Sequence, residues 1–259
     1  MSLKVFILAS GSSGNAAYVA SERTRILIDA GLSGKEISRR LELMGVRVSD
    51  LSAVCVTHEH DDHTSALGVL HRRFGIPLYA NAGTIQAVEQ AGKLSDVKWN
   101  MFTTGSPFPI GDLRLEPFSV PHDSYDPVGF VVSSPDDRVG IVTDMGMATS
   151  LVRERLKNCR VLVIEANHDE KMLNNADRPW SLKQRIAGRQ GHFSNTQATE
   201  LIAEIAGPAL KVVFLAHLSA DCNRPELAER EMRKALDRIG RSDVTVKLTY
   251  PDRVSDIGE

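Results

Sequence analysis

The sequence predicts an α/β (α+β) protein of four layers, with helices outside two sheets packed face to face in the order αββα. Three observations predict it. Short apolar, strand-like runs alternate with helical patterns along the chain. A hairpin pattern occurs twice: Ala17-Tyr18-Val19-Ala20-Ser21, a turn, then Arg25-Ile26-Leu27-Ile28-Asp29-Ala30-Gly31, and later Gly129-Phe130-Val131-Val132-Ser133, a turn, then Gly140-Ile141-Val142-Thr143-Asp144-Met145-Gly146. Each copy closes on Asp-x-Gly and leads through a helix to an apolar strand and a histidine, at 54–58 in the first half and 161–168 in the second. Two such halves bury one sheet face against the other and need helices on the outer faces.

The strand-like runs lie at 3–9, 16–21, 25–29, 53–57, 113–120, 128–133, 139–143, 161–165, 211–216 and 244–249. Glu36-Ile37-x-x-x-Leu41-x-x-Met44 repeats at the helical period. Ser194 reads as the N-cap of a helix running through Leu201, Ile202 and Ile205 to Gly207. A further helix follows Pro225, carries Leu227, Met232 and Leu236 on one face, and ends at Gly240. No linker-like or low-complexity tract interrupts the pattern, so residues 1–259 read as a single domain.

Bulk composition excludes several classes. Hydrophobic content of 42% and charged content of 25% are those of a soluble globular protein rather than a disordered one. A net charge of −2 carries no global polyanion signature, so a nucleic-acid site has to be a local patch. The longest apolar runs, such as Val212-Val213-Phe214-Leu215-Ala216, are too short to span a bilayer. Leu3-Lys4-Val5-Phe6-Ile7-Leu8 runs straight into Ser10-Gly11 and lacks the apolar core of a signal peptide. A cytoplasmic protein with no membrane partner is expected. Cys55, Cys159 and Cys222 are odd in number and unpaired in spacing, which favours packed thiols over disulfides.

Thr57-His58-Glu59-His60-Asp61-Asp62-His63 gathers three of the eight histidines directly after the apolar run Ala53-Val54-Cys55-Val56. Imidazole and carboxylate donors suit zinc, manganese or iron, and the sequence does not choose among them. In an extended segment His58 and His60 point the same way, and Asp62 and His63 follow where the chain turns. Asp29, His122, Asp144 and His217 each stand at the tip of another apolar run, where a rigid scaffold presents functional groups.

His58-x-His60-x-Asp62-His63, followed by His122, Asp144 and His217, resembles the metal motif of the metallo-β-lactamase fold superfamily, and Asp29 matches its first, structural motif. The resemblance spans nearly the whole chain. It implies two divalent ions, one held by His58, His60 and His122, the other by Asp62, His63 and His217, with Asp144 between them. Glu59 and Asp61 are then non-ligands. Ser10-Gly11-Ser12-Ser13-Gly14-Asn15, Glu165-Ala166-Asn167-His168-Asp169 and Gly191-His192-Phe193-Ser194-Asn195 further resemble the YycJ/WalJ group of bacterial proteins. That likeness implies a 5′→3′ exonuclease acting on DNA and linked to mismatch repair.

The residues themselves fit such chemistry. A hydroxide held between two divalent ions is a nucleophile near neutral pH, and Asp62 is placed to orient it. His192 is a candidate proton donor to the leaving oxygen. Ser194, as a helix cap with outward N–H groups, and its neighbour Asn195 are candidate phosphate contacts. Lys183, Arg185 and Arg189 form a basic run with no acid between 178 and 199, suited to a nucleic-acid backbone. Trp180 beside them reads as buried, with base stacking as the alternative. His168 is expected to orient a ligand or fix the following helix, and 10–15 to be a structural turn near the site. A small-molecule hydrolase (cyclic phosphodiesterase, thioesterase or lactonase) is the competing reading. A di-iron redox protein fits less well, because its usual pattern has glutamate where His60 stands. Protein partners and oligomeric state leave no mark in the sequence.

Overall fold

In the computed structural model, which describes residues 2–256 except 93, 95 and 96, side-chain alternation along the strands separates three apolar layers. The first half contains β1 (Lys4–Ala9), β2 (Ala16–Ala20), β3 (Arg25–Ile28), α1 (Gly34–Leu43), β4 (Ala53–Cys55), α2 (Asp61–Thr64), α3 (Leu67–Phe74), β5 (Leu78–Ala80), α4 (Ala82–Gln90) and β6 (Trp99–Met101). The second contains β7 (Phe108–Ile110), β8 (Leu113–Ser119), β9 (Val128–Ser134), β10 (Asp137–Val142), α5 (Ser150–Leu156), β11 (Val161–Glu165), α6 (Glu170–Asn175), α7 (Trp180–Ile186), α8 (Asn195–Ile205), β12 (Val212–Ala216), α9 (Pro225–Arg238) and β13 (Thr245–Leu248). A last strand, β14 (Ser255–Asp256), returns to the first sheet.

The sheet orders are β14-β1-β2-β3-β4-β5-β6 and β13-β12-β11-β10-β9-β8-β7. In each, an antiparallel hairpin (β2–β3 or β9–β10) continues into a parallel run. The repeated hairpins of the sequence are therefore one topological unit used twice. Val161 and Val163 of β11 join Val5, Ile28 and Phe130 between the sheets, while Leu162 and Ile164 face α5, α8 and α9. On the other outer face Leu27, Val54 and Leu78 pack against Ile37 and Leu41 of α1 and Leu67 and Leu70 of α3. These are the four layers expected. All three cysteines are free and buried, as the composition suggested.

An ion pair between a buried aspartate and a partly exposed arginine pins the sheets together away from the site. Arg160 contacts Asp137 through Nε and Nη2, and both clasp Leu3 of the opposite sheet: Leu3 N donates to Asp137 Oδ2 at 2.6 Å, and Arg160 Nη2 donates to the Leu3 carbonyl at 2.8 Å.

The parallel strands set the position of the functional residues, because their C-terminal ends share one edge. Asp29 and Asp144 both leave their strands with positive φ, 64° and 54°, a region aspartate tolerates better than most residues. The glycine two residues on lies against another backbone in each half. A Cβ on Gly31 would sit 1.6 Å from the Asp62 carbonyl oxygen, and one on Gly146 would sit 2.5 Å from the Arg189 carbonyl. Asp-x-Gly is thus a docking device for a neighbouring loop.

Candidate metal centre

Each expected ligand histidine has one ring nitrogen held by the protein or turned to a neighbour, and the other directed to a common centre. His122 Nδ1 lies 3.1 Å from the Gly191 carbonyl oxygen, which can only accept, so Nδ1 carries the proton and Nε2 a lone pair. His217 Nδ1 faces Glu165 Oε1 at 2.8 Å, and His63 Nδ1 faces Asp29 Oδ2 at 2.8 Å. His58 Nδ1 meets Thr57 Oγ1 at 2.9 Å, leaving its Nε2 3.1 Å from His60 Nδ1. Fixing one imidazole nitrogen so that the other faces a cation is the usual outer support of a metal-binding histidine.

Ligand atoms of His58, His60 and His122 lie within 4.8 Å of one another. Asp62 Oδ2 stands 3.6 Å from both His63 Nε2 and His217 Nε2. Asp144 occupies the middle, with Oδ2 3.0 Å from His63 Nε2 and Oδ1 3.1 Å from His217 Nδ1 and 4.0 Å from His122 Nε2. Three buried atoms with no hydrogen-bond partner, His122 Nε2, His217 Nε2 and Asp144 Oδ2, belong to this cluster. Orphaned buried donors and acceptors are costly, and a cation relieves all three at once. The nitrogen and oxygen donors fit a divalent metal.

Electrostatics agree. Burial and then the neighbouring His63 push the His58 imidazole well below its usual range. Burial also pulls His63 and His217 down, but the carboxylates outweigh it: Asp29 and Asp144 lift His63 well above normal, and Asp144, Asp62 and Glu165 lift His217 to about 10. Asp62 is held low despite burial, by His217 and His63. These carboxylates demand positive charge, which protons or divalent ions supply in competition.

Asp29 bonds Thr57 N and Thr57 Oγ1, each at 2.8 Å, besides His63, and so acts as a brace rather than a ligand. The turn at 10–15 also braces the site: Ser10 Oγ accepts from His217 N at 2.7 Å, and Asn15 Nδ2 reaches Asp62 Oδ2 at 3.2 Å. Glu59 is outside the groups of clustered ligand atoms and accepts from Tyr125 N at 3.0 Å.

Glu165 is the residue that sequence reasoning passed over in favour of His168. It is wholly buried at the end of β11 and binds His192 Nδ1 and His217 Nδ1, each at 2.8 Å, and the backbone N–H groups of Met145 and Phe193. Burial works against its charge, but His192 and His217 hold its carboxyl down at about 2. A lone acid closing an otherwise apolar run, Val161-Leu162-Val163-Ile164-Glu165, was the available signal. His168 touches the site only indirectly. Its carbonyl accepts from Asn195 N at 2.9 Å, fixing the start of α8, and its Nδ1 has no partner among the described residues.

The expected phosphate contacts divide. His192 borders a cleft of about 220 Å³ together with Arg178, Arg185, Asp123 and Asn167. Ser194 and Asn195 do not reach it. Ser194 is buried in a capping box with Gln197 and donates to Glu170, and Asn195 pairs its amide with that of Asn223. The α8 terminus is thus satisfied internally instead of facing outward. Lys183 turns back to the Asn174 carbonyl at 2.7 Å, and Arg189 is exposed outside the cleft lining. Trp180 is 65% exposed, contrary to the buried reading, because α7 buries none of its residues.

The profile of the family described as "Beta-lactamase superfamily domain" matches residues 24–218, a span containing every candidate ligand. The chain belongs to the metallo-β-lactamase fold superfamily. Within it, the chain is 36% identical over 241 residues to Exodeoxyribonuclease YycJ of Bacillus anthracis, covering 93% of this chain and 91% of that protein. It is 36% identical over 250 residues to Exodeoxyribonuclease WalJ of Streptococcus pneumoniae, covering 95% and 92%. The metallo-β-lactamase fold protein YhfI from Bacillus subtilis shares the fold with a TM-score of 0.74 at 17% identity, over 98% of this chain and 99% of that one. This superfamily member is a metal-dependent hydrolase. No helix among its described residues is long and apolar enough to cross a membrane.

Proposed function

We propose that the protein is a metal-dependent phosphodiesterase that removes nucleotides from the 5′ end of DNA. One observation carries the reading: a cation-demanding cluster stands beside an imidazole that faces an arginine-bordered cleft. The exodeoxyribonuclease names of relatives matched along most of their length support it. His58, His60, His122, Asp144, Asp62, His63 and His217 would hold two divalent ions, with zinc or manganese the best-suited and iron admissible. Such ions supply a nucleophilic water at neutral pH and neutralise phosphoryl oxygens.

The chain's own groups do the rest. Asp62, between His63 and His217, orients the attacking water. His192 is fixed through Nδ1 by Glu165, which leaves Nε2 to donate a proton to the leaving oxygen. Arg185 steadies the phosphate.

Metal-loaded protein incubated with end-labelled duplex DNA carrying a 5′ phosphate is expected to release nucleotides progressively from that end. Replacing His192 by alanine should lower kcat by roughly 10²–10⁴-fold with a smaller change in KM. An absence of 5′ shortening with either manganese or zinc would sink the exonuclease reading, and shortening from the 3′ end would sink its direction. The small size of the cleft and the net charge of −2 favour, as second reading, a hydrolase of small phosphodiesters or thioesters. Preference for a chromogenic monomeric substrate over DNA would select it.

A further inference from the structure

The two metal positions are unequally furnished. Asp62 Oδ2 faces both His63 and His217, so that group has a carboxylate of its own. His58, His60 and His122 form an all-imidazole group, with the shared Asp144 Oδ1 4.0 Å from His122 Nε2. Another acid approaches this nitrogen more closely. Asp123, which directly follows His122 and lies outside the ligand series, places Oδ1 3.3 Å from His122 Nε2.

That contact is not a hydrogen bond. His122 Nδ1 gives its proton to the Gly191 carbonyl, so Nε2 offers a lone pair and has no hydrogen-bond partner. A lone pair and a carboxylate oxygen this close, with His122 out of water, repel unless a cation or a donor stands between them. The fold holds Asp123 there all the same. On one side of it the Pro121 carbonyl accepts from Gly146 N at 2.9 Å, and on the other Glu59, between His58 and His60, accepts from Tyr125 N at 3.0 Å. Arg185 of α7 then grips Asp123 Oδ2, with Nε at 2.6 Å and Nη2 at 2.5 Å. The guanidinium takes one oxygen, and the other is the one turned to His122.

We infer that Asp123 is an outer carboxylate of the metal centre, accepting a hydrogen bond from water on the ion that His58, His60 and His122 would hold. Direct ligation fits less well, because Asp123 is not among the ligand atoms within 4.8 Å of one another at that position. An ion carrying water supplies both things the contact lacks, a cation for the His122 lone pair and a donor for Asp123 Oδ1. The inference rests on the two-ion assignment above and adds a residue beyond those ligands. A carboxylate so placed orients the water and strengthens retention of the ion. The bond to Arg185 fixes Asp123 but also competes for its charge, so the two residues have separable effects on the metal.

The test dialyses the metal-loaded full chain against graded chelator and counts bound zinc or manganese per chain. The parent is expected to keep two ions. D123N, which preserves shape and removes charge, should release one ion at a roughly 10–100-fold lower chelator concentration and leave the other unchanged. Cobalt-loaded D123N should also show altered visible bands. R185Q keeps the carboxylate and frees it from the guanidinium, so it should hold that ion as the parent does or more tightly. Thermal melts of the metal-saturated variants that match the parent's exclude a folding defect. Parent-like retention and bands in D123N overturn the outer carboxylate while the two-ion reading stands. Equal loosening in D123N and R185Q overturns it too, since Asp123 would then serve only to anchor α7. A parent that holds fewer than two ions overturns both readings.

Discussion

The end of β3 in the first half and the end of β10 in the second are built alike. Each delivers an aspartate with left-handed backbone, and each sets a glycine against a passing loop. What faces the two carboxylates differs. Asp29 meets the N–H and hydroxyl of Thr57 and the Nδ1 of His63, so its oxygens are spent on protein donors. Asp144 meets His63, His217 and His122, and its Oδ2 is left without a hydrogen bond. One backbone device therefore yields a brace in one half and a cation-facing charge in the other. The partners across the edge, rather than the local conformation, decide which.

The largest effect expected from breaking this comparison is at Asp144. Replacing it with asparagine removes the central charge and should cut kcat by on the order of 10³-fold, with bound metal per chain falling after dialysis. Asp29→Asn should cost only about 10–100-fold in metal affinity, because it loosens a ligand's support and not a ligand. Equal losses would mean that the two aspartates are equivalent and the comparison is wrong.

A second test asks what holds the halves in register so that one edge is shared. Asp137→Ala strips the partly exposed Arg160 of its partner and leaves the Leu3 N–H without its acceptor, which predicts a loss of about 1–3 kcal/mol in urea unfolding. A loss too small to measure would assign the registration to the apolar layer alone.

The smallest effect lies in the helices that follow the two aspartates. Both α1 and α5 are capped by a hydroxyl, Ser33 and Thr149, but only α1 carries an acid in its first turn. Bonding to Arg39, against a smaller opposing cost of burial and with further help from Arg40, lowers the Glu36 carboxyl from 4.5 to about 2. A carboxyl depressed by folding adds stability above its unfolded value and loses it as pH falls through the folded one. Glu36→Gln should therefore destabilise the protein at pH 7 by less than about 1 kcal/mol, the pair being near the surface. That difference should shrink between pH 4.5 and 2. A difference that grows on acidification would contradict the clasp.

The strands that read clearly in the sequence are those whose apolar run is long enough to show, such as Val128–Ser134 and Val161–Glu165. The short β5, β6, β7 and β14 escaped, since two or three residues carry no period and are strands only by pairing with a neighbour. The α8 cap was legible because Ser194 and Gln197 form a local signal, yet that same capping closes the terminus to any ligand. Trp180 was misread because its exposure depends on how α7 sits, not on its own hydrophobicity.

By itself the sequence determined the repeated hairpin, the layered fold and the chemical type of the site, because periodicity and donor atoms are local properties of the chain. Only the tertiary structure decided that Asp29 braces while Asp144 faces the ligands, that Glu165 holds His192 and His217, and that Arg178 and Arg185 border one cleft. Those facts are distances between residues remote in sequence, and the shared edge of two packed sheets is what brings them together.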